Sequence, residues 1–495
     1  MAYKRGFDND KYLKTQSREI LERISQFGDK LYLEFGGKLF DDYHASRVLP
    51  GFEPDSKMRM LTQLKEKAEI IIVISADDIE RNKLRGDLGI TYDADALRLI
   101  DSFREIGLDV FSVVITMYRG QAAAETFEKL LKGLGLQVYR HYPIADYPAN
   151  VQLMLSEEGF GKNDYVETTK SLIVVTAPGP GSGKMAVCLS QLYHDYKRGE
   201  ASGYAKFETF PVWNLPLKHP VNLAYEAATA DLSDVNLIDS FHLEAYGETA
   251  VNYNRDIDTF PVLSNILQRI QGTAPYRSPT DMGVNMLGYC ITDNDVCVEA
   301  SRQEIIRRYF ETSCSYRQGS SEHSEIVKIE LLMNQLGITV EDRPAVVPAR
   351  LKAESTKEPA CAMELPDGTI VTGRTKSLLG AASSCLLNAL KTLGGIEDDV
   401  LLISPEVIAP IQKLKVGHMG NRNPRLHTDE VLIALAICAA TDEFAARAMA
   451  ELPNLRGCEV HSSVILSRVD ENVLHNLGVN VTCEPKYETQ KLYHR

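Results

Sequence analysis

The sequence predicts a multidomain α/β protein whose N-terminal part is a doubly wound, mostly parallel sheet. Short, continuously apolar segments, which suit strands covered on both faces, alternate with amphipathic segments of helical spacing. With 495 residues, the chain is also too long for one ordinary core and suggests roughly three domains. Length and alternation together therefore define the class.

In the first third of the chain, helices and strands alternate in the order expected of parallel strands joined by crossover helices. Three helices, each ending near a glycine that suits a helix C-terminus, are predicted over residues 11–27, 95–106 and 121–131. Strands are predicted over residues 31–35, 70–75, 110–115, 136–139 and 172–176.

Further along the chain the strand pattern weakens, and three domains are predicted, over residues 1–230, 231–340 and 341–495. The middle domain is expected to be smaller and partly helical, with helices near residues 261–270 and 302–310. A stretch of prolines and charged residues over 341–359 is typical of a linker.

Composition and charge exclude several classes of partner. The 54 basic and 68 acidic residues give a net charge of -14, which repels nucleic-acid backbones and anionic membranes. No apolar run is long enough for a membrane span, and the polar N-terminus differs from a signal peptide. The nine cysteines are scattered singly, as in reduced proteins. We therefore expect a cytoplasmic protein that binds neither nucleic acid nor membranes.

The most specific motif is a glycine-rich loop ending in lysine, between a predicted strand and a predicted helix. Its predicted ligand-binding residues are Gly179, Gly181, Ser182, Gly183 and Lys184. Glycines let phosphate oxygens approach backbone N–H groups, and the helix N-terminus and the lysine supply positive charge. The motif therefore predicts a phosphate site. The alternative is a simple turn with an exposed lysine.

The loop resembles the P-loop of nucleotide-binding proteins, with two departures. Pro178 stands in place of the first glycine of that motif, and Met185 replaces the Ser or Thr that holds magnesium. The missing hydroxyl leaves the need for magnesium open, although ATP or another nucleotide is one expected cofactor.

The ends of three other predicted strands carry glycine or charged residues. Ligands of open parallel sheets bind at the carboxyl ends of the strands, so these loops predict a shared cleft. The residues expected to bind an anion there are Gly36, Gly37, Lys38, Arg47 and Arg119. Candidate general bases or metal ligands are Asp41, Asp42 and Asp77, and His44 is a candidate acid or base. Helix capping by Asp41 and Asp42 and a structural role for His44 are the alternatives.

The C-terminal domain shows a hairpin, a helix and a strand in that order. The hairpin covers residues 362–373, the helix covers 381–393, and the strand ends at Ser404-Pro405-Glu406. This order resembles the cytidine deaminase fold, in which the helix opens with His-x-Glu and a later loop carries Pro-Cys-x-x-Cys. Here those places hold Gly380-Ala381-Ala382-Ser383 and Pro405-Glu406-Val407-Ile408. The resemblance implies a domain without zinc that serves assembly or ligand binding.

Two longer strings are similar to a bacterial family defined by a domain of unknown function, number 1846. They are LYLEFGGKLFDDYHASRVLPGF at residues 31–52 and TAPGPGSGK at residues 176–184. The resemblance covers the whole chain. It implies a cytosolic bacterial protein that forms homo-oligomers.

These observations predict a protein that binds a nucleotide or another phosphorylated small molecule. The first hypothesis is an enzyme of phosphoryl or nucleotidyl transfer or ligation, in which Lys184 stabilises developing phosphate charge. The alternative is a non-catalytic protein that senses a nucleotide or a sugar phosphate, which the methionine at position 185 favours. A metabolic enzyme that acts on a phosphorylated small molecule without a nucleotide is a third hypothesis.

Overall fold

A computed structural model describes residues 4–36, 39–40, 42–85, 89–232 and 234–489. The chain divides into two compact units, each a mixed α/β structure. The N-terminal unit consists of Arg5–Glu226 and Ser233–Ala300, and the C-terminal unit consists of Met1–Lys4, Ala227–Leu232 and Ser301–Arg495. The three domain boundaries given above stay a prediction.

The α-helices are α1 Asn9–Gln26, α2 Tyr43–Val48, α3 Ser56–Gln63, α4 Ala76–Glu80, α5 Tyr92–Glu105, α6 Ala122–Gly133, α7 Val151–Met154, α8 Lys184–Lys197, α9 Pro220–Ala228, α10 Ser240–Tyr246, α11 Asn254–Gln271, α12 Pro279–Met282, α13 Asn294–Gln318, α14 His323–Leu336, α15 Val346–Thr356, α16 Ala381–Leu393, α17 Pro405–Lys413, α18 Thr428–Cys438, α19 Glu443–Ala450 and α20 Arg468–Asn476. Within the described ranges, no helix is long and apolar enough to cross a bilayer.

The strands are β1 Leu31–Phe35, β2 Ala68–Ser75, β3 Leu84–Arg85, β4 Ile90–Thr91, β5 Asp109–Thr116, β6 Gln137–Arg140, β7 Leu172–Thr176, β8 Gly203–Phe207, β9 Asn236–Ile238, β10 Val251–Tyr253, β11 Gly283–Val284, β12 Ala360–Glu364, β13 Ile370–Arg374, β14 Glu459–Ser462 and β15 Asn480–Cys483.

The core of the N-terminal unit is a seven-stranded sheet in the order β11-β8-β1-β7-β2-β5-β6. Every neighbouring pair is parallel, which confirms the predicted parallel sheet. Helices α1, α3, α5 and α6 supply apolar residues to the core on one face, and α8 and α11 supply them on the other. Because both faces are covered, the strands are continuously apolar rather than alternating.

The two faces of the sheet can be followed along β1. Leu31, Leu33 and Phe35 belong to the core on the α1 side, whereas Tyr32 belongs to the core on the α8 side. Side chains of a strand alternate between faces, so Glu34 points to the same face as Tyr32. That face carries α8, the helix that follows the glycine-rich motif.

The predicted strands over residues 31–35 and 172–176 coincide with β1 and β7. Strands β8 and β11 did not emerge from the sequence. Segment β8 begins with a glycine and contains a lysine, and β11 has only two residues, so neither forms a clear apolar run. Both extend the large sheet beyond β1.

The C-terminal unit has a four-stranded sheet in the order β13-β12-β14-β15. The predicted hairpin is confirmed as the antiparallel pair β12 and β13, and the predicted helix over residues 381–393 coincides with α16. The remaining pairs are β12 with β14, which is antiparallel, and β14 with β15, which is parallel.

Two expectations for this part of the chain were wrong. Instead of a strand ending at Ser404-Pro405-Glu406, the structure has α17, with Ser404 as its N-cap. Proline is favoured in the first helical turn because its missing N–H has no partner there. The predicted linker over residues 341–359 contains α15, which packs against β12 and β13, and Pro348 fits its first turn.

Candidate functional site

The glycine loop, defined as residues 177–183, lies where the connections of the large sheet change direction. Strands β1 and β7 are neighbours. The chain leaves β1 towards β2 on one side, and it leaves β7 towards β8 on the other. Loops that depart in opposite directions leave a crevice between them, which is the usual ligand site of such sheets.

Hydrogen bonds and glycine conformations define the loop. Gly181 and Gly183 have φ values of 78° and 91°, which only glycine adopts readily. The Ser182 hydroxyl donates a hydrogen bond to the Gly179 carbonyl at 2.8 Å, and the Thr116 hydroxyl donates one to the Ser182 carbonyl at 2.7 Å. Ser182 is fully buried, so its side chain supports the loop from inside.

The start of α8 offers positive charge to this crevice. Its N-cap is Gly183, and among the residues that the structure describes no side-chain cap accepts a hydrogen bond from its first turn. The first N–H groups of a helix have no partner within the helix and carry a partial positive charge. Lys184 is half-buried, and its ammonium forms no hydrogen bond or ion pair with another described residue. Lysine and helix end can therefore act on the same anion.

Tyrosine and threonine side chains leave no room for larger residues in the loop. A Cβ at Gly179 would collide with the hydroxyl of Tyr92, and one at Gly183 would lie 3.2 Å from Cγ2 of Thr116. Packing therefore disfavours a side chain at Gly179, and packing together with the left-handed backbone disfavours one at Gly183.

Two of the predicted residues, Arg119 and Asp77, form an ion pair with each other. Arg119 contacts both carboxylate oxygens of Asp77, at 3.0 Å and 3.1 Å, and Gln121 donates a further hydrogen bond to that carboxylate at 2.9 Å. Arg119 and Asp77 follow the carboxyl ends of β5 and β2. The glycine loop follows the carboxyl end of β7, so all three lie at the same end of the parallel strands. The structure brings Arg119 and Asp77 together as a pair.

The residues after β1 have several roles. Asp42 caps α2, accepting from the N–H of Ala45 at 3.2 Å, and forms an ion pair with the buried Lys57 at 2.8 Å. Burial raises the pKa of Asp42, but the charge of Lys57 and these hydrogen bonds outweigh it and lower the pKa. The capping alternative is thus the observed one for Asp42.

His44 and Arg47 are on α2, and His44 packs edge-on against Phe210 and Tyr225, with ring centroids 5.1 Å and 5.5 Å away. Arg47 lies in the last turn of that helix. Gly36 follows β1 directly, and three further predicted residues, Gly37, Lys38 and Asp41, lie outside the described residues.

A second polar group at the strand ends was missed. We call Glu34, Lys206, Glu208 and Asp256 the strand-end carboxyl cluster. The Lys206 ammonium donates to Asp256 at 2.6 Å, and the Tyr204 hydroxyl donates to Glu34 at 2.7 Å. A hydrogen bond also joins the carboxyl groups of Glu208 and Asp256. Glu34 and Lys206 are opposite each other in the register of β1 and β8.

The pKa values of the two joined carboxyl groups shift in opposite directions. Burial, followed by the charge of Asp256, raises the pKa of Glu208 well above its ordinary value. Burial also raises the pKa of Asp256, but Lys206 and the bond from Glu208 outweigh this effect and lower the pKa. Two adjacent carboxyl groups that share a proton behave in this way. Glu208 therefore holds a proton more strongly than Asp256 does.

The strand-end carboxyl cluster lies close to the glycine loop. Cys188 follows Lys184 by about one turn of α8. Burial raises the pKa of the Cys188 thiol, the charge of Glu34 raises it further, and the charge of Lys184 opposes both. The charges of Glu34 and Lys184 thus act on the same buried thiol.

The sequence contained one signal for this cluster. Strands β1 and β8 read Leu-Tyr-Leu-Glu-Phe and Gly-Tyr-Ala-Lys-Phe, each with a charged residue just before a final phenylalanine. A charge inside an apolar strand needs a partner, so the two strands could have been paired on that ground. In the parts of the chain that the structure describes, no group of three or more His, Cys, Asp or Glu side chains is arranged to hold a metal.

Comparisons with known proteins identify the family. Residues 5–337 match the family described as domain of unknown function DUF1846, N-terminal, and residues 341–493 match its C-terminal counterpart. A UPF0371 protein of Streptococcus thermophilus strain CNRZ 1066 is 59% identical over 492 residues, which cover 99% of this chain and 100% of that protein. A UPF0371 protein of Streptococcus pneumoniae strain JJA is 58% identical with the same coverage. The chain therefore belongs to the DUF1846 family.

Proposed function

We propose that this protein binds the phosphate group of a small molecule at the glycine loop. The observation that carries the proposal is the start of α8, which lacks a side-chain cap, follows two left-handed glycines and lies at the switch point of the sheet. A phosphate there would accept hydrogen bonds from the first-turn N–H groups and an ion pair from Lys184. An exposed turn elsewhere on the sheet would not combine these features.

We further propose that the protein is an enzyme acting on this phosphorylated ligand. The support is the grouping of Glu208, Asp256 and Lys206 at the strand ends, where the pKa of Glu208 is raised and that of Asp256 is lowered, so that the group can give and take protons. The second candidate is a binding protein without turnover. Met185, in the first turn of α8, favours that candidate because it cannot hold magnesium as a Ser or Thr can.

The first experiment is a thermal-shift and calorimetric screen of the full chain. Inorganic phosphate, sugar phosphates, AMP and ATP are tested with and without magnesium, because a ligand of the folded state raises its apparent stability. We expect binding of at least one phosphate compound. A shift that needs ATP and magnesium together would support phosphoryl or nucleotidyl transfer.

Substitutions at the two ends of α8 distinguish phosphate binding at the proposed site from nonspecific attraction to any lysine. Lys184→Ala should abolish phosphate binding, whereas Lys197→Ala, an exposed lysine at the other end of the helix, should leave it unchanged. If Lys184→Ala binds every phosphate compound as the unaltered chain does, the proposed site is wrong.

For the C-terminal unit we propose a cytidine-deaminase-like architecture without zinc ligands that serves assembly. The hairpin of β12 and β13 followed by α16 supports the architecture, and the opening of α16 carries Ala381, Ala382 and Ser383. Self-association is supported by Ile433 and Ile437 on α18, which are 61% and 60% exposed. Light scattering with elemental analysis tests both: a monomer excludes assembly, and stoichiometric zinc excludes the zinc-free form.

A further inference from the structure

We infer that the ligand of the glycine loop is a phosphate monoester of an uncharged, hydroxyl-rich molecule, as a sugar phosphate is. The strand-end carboxyl cluster binds its hydroxyl groups. This inference rests on the proposed phosphate site and adds the chemical class of the rest of the ligand.

The position of the cluster supports this inference. Neighbouring strands lie about 4.8 Å apart, so β1 and β8 place the cluster about 5 Å and about 10 Å from the end of β7. Glu34 has Val175 of β7 and Lys206 of β8 as its register partners, so these side chains share the α8 face of the sheet. A ligand whose phosphate binds at the glycine loop therefore extends along the strand-end carboxyl cluster.

The side chains of the strand-end carboxyl cluster are suited to bind hydroxyl groups. A hydroxyl donates one hydrogen bond and accepts others, so it matches a surface that presents both carboxylates and a lysine. Glu34, Lys206, Glu208 and Asp256 are all half-buried rather than sealed, which leaves part of each side chain within reach of a ligand. An apolar ligand would leave these groups without hydrogen bonds on its side, at a cost in affinity.

The charges of the strand-end carboxyl cluster disfavour a ligand with several phosphates. Glu34 and Asp256 carry negative charge beside the crevice, and like charges repel strongly where water is partly excluded. In the first turn of α8, Lys184 supplies one positive charge for a phosphate, and the Met185 thioether provides no magnesium ligand. One phosphate with an uncharged remainder fits this balance better than a triphosphate.

Calorimetry with matched phosphate esters tests the inference on the full chain. The compounds are inorganic phosphate, phenyl phosphate, ATP with magnesium, and three sugar phosphates, namely glucose 6-phosphate, fructose 6-phosphate and ribose 5-phosphate. We expect at least one sugar phosphate to bind about tenfold more tightly than phenyl phosphate, which has the same anion without hydroxyls. Equal affinities, or tighter binding of ATP, would overturn the inference and leave the phosphate site intact. Failure of every phosphate compound to bind would remove the proposed function itself.

Two amide substitutions test whether the strand-end carboxyl cluster causes the tighter binding of sugar phosphates. Glu34→Gln removes a carboxylate but keeps an acceptor for the Tyr204 hydroxyl, and should weaken the sugar phosphate about tenfold while changing inorganic phosphate by less than about twofold. Glu69→Gln is the matched control, because Glu69 is also half-buried on a strand of the large sheet but lies at the amino end of β2, and its amide would still accept from the Thr169 N–H; both ligands should bind as before. Circular dichroism confirms folding. If Glu34→Gln weakens both ligands equally, Glu34 does not contact hydroxyl groups and the inference is wrong.

Discussion

Helices α8 and α16 begin alike and yet face different surroundings. Each helix follows a strand of its own sheet. The N-cap is Gly183 in α8 and Gly380 in α16, so neither N-cap has a side chain that could form a hydrogen bond. In front of α16, the carbonyl of Leu426 accepts hydrogen bonds from Gly380 and from the Ser383 hydroxyl, at 3.4 Å and 2.9 Å. In front of α8, Gly181 is exposed.

The difference shows how one strand–turn–helix element can serve packing in one place and binding in another. Two other helices of the C-terminal unit fill their N-termini with carboxylates of the same unit: Asp470 accepts from the N–H of Thr428 in α18, and Asp442 caps α19. The N–H groups at the start of α8 have no side-chain cap and follow the exposed glycine loop, so they are open to a ligand. Four predictions test this contrast, in order of decreasing effect on stability.

The largest effect is expected inside α16. Leu386 is fully buried in the C-terminal core, so Leu386→Ala should lower the free energy of unfolding by about 2–5 kcal/mol through lost burial and an unfilled cavity. Urea denaturation followed by circular dichroism measures this loss. Phosphate affinity should not change, because α16 serves packing alone in this comparison; a loss of phosphate binding in a folded Leu386→Ala protein would contradict that role.

Equivalent glycine substitutions should differ between the two helices. Gly183→Ala puts a side chain on a left-handed residue and 3.2 Å from Thr116, and should cost about 1–3 kcal/mol. Gly380 has extended backbone, and the nearest atom to an added Cβ is 3.9 Å away, so Gly380→Ala should change stability by less than about 0.5 kcal/mol.

The two glycine variants also separate binding from stability. Gly183→Ala should reduce phosphate affinity even where the protein remains folded, because the loop can no longer present its N–H groups. Calorimetry at a temperature well below both unfolding transitions provides the comparison. Equal stability losses for the two variants would show that the two N-caps do not differ as described.

The parts of this molecule that were predictable are those governed by local pattern. Strands β1 and β7 are short apolar runs and helix α16 has helical spacing, and each ends near a glycine or a polar residue, so their bounds could be predicted from the sequence. The glycine loop was recognisable because glycine spacing and a terminal lysine are local features. Asp42 shows the limit: cap, base and metal ligand all require the same residue type, and only the position of Lys57 decides between them.

The strand-end carboxyl cluster could not be predicted because it depends on strand order. Glu34 and Lys206 are far apart in the chain and meet only because β8 is inserted next to β1. Asp256 arrives from α11, which belongs to a part of the chain that the sequence suggested was a separate domain. Long-range pairing of this kind leaves no periodic signal in a single sequence.

A smaller effect should appear in the pH dependence of the C-terminal unit. His427, the N-cap of α18, contacts Asp470 at 2.9 Å, and this hydrogen bond raises the pKa of His427 despite burial. A raised histidine pKa stabilises the fold below about pH 6.5, and that contribution is lost as pH rises through the higher folded pKa. His427→Asn keeps a favourable cap but cannot titrate.

The difference in stability between the unaltered chain and His427→Asn isolates this contribution. It should be largest below about pH 6.5 and shrink towards pH 8, with a size below about 1 kcal/mol, as for partly exposed ion pairs. The subtraction matters because burial lowers the pKa of His461, whose contribution therefore changes with pH in the opposite sense. A difference that grows as pH rises would contradict the ion pair with Asp470.

The smallest change in stability is expected for the residue most important to the proposed function. Lys184 forms no hydrogen bond or ion pair with any other residue in the described ranges, so Lys184→Ala should alter the free energy of unfolding by less than about 0.5 kcal/mol without ligand. Adding phosphate should stabilise the unaltered chain and not the variant, since only binding to the folded state raises its stability. Urea denaturation with and without phosphate measures both quantities. A large loss without ligand would mean that Lys184 supports the fold, and α8 would then resemble α16 in serving packing.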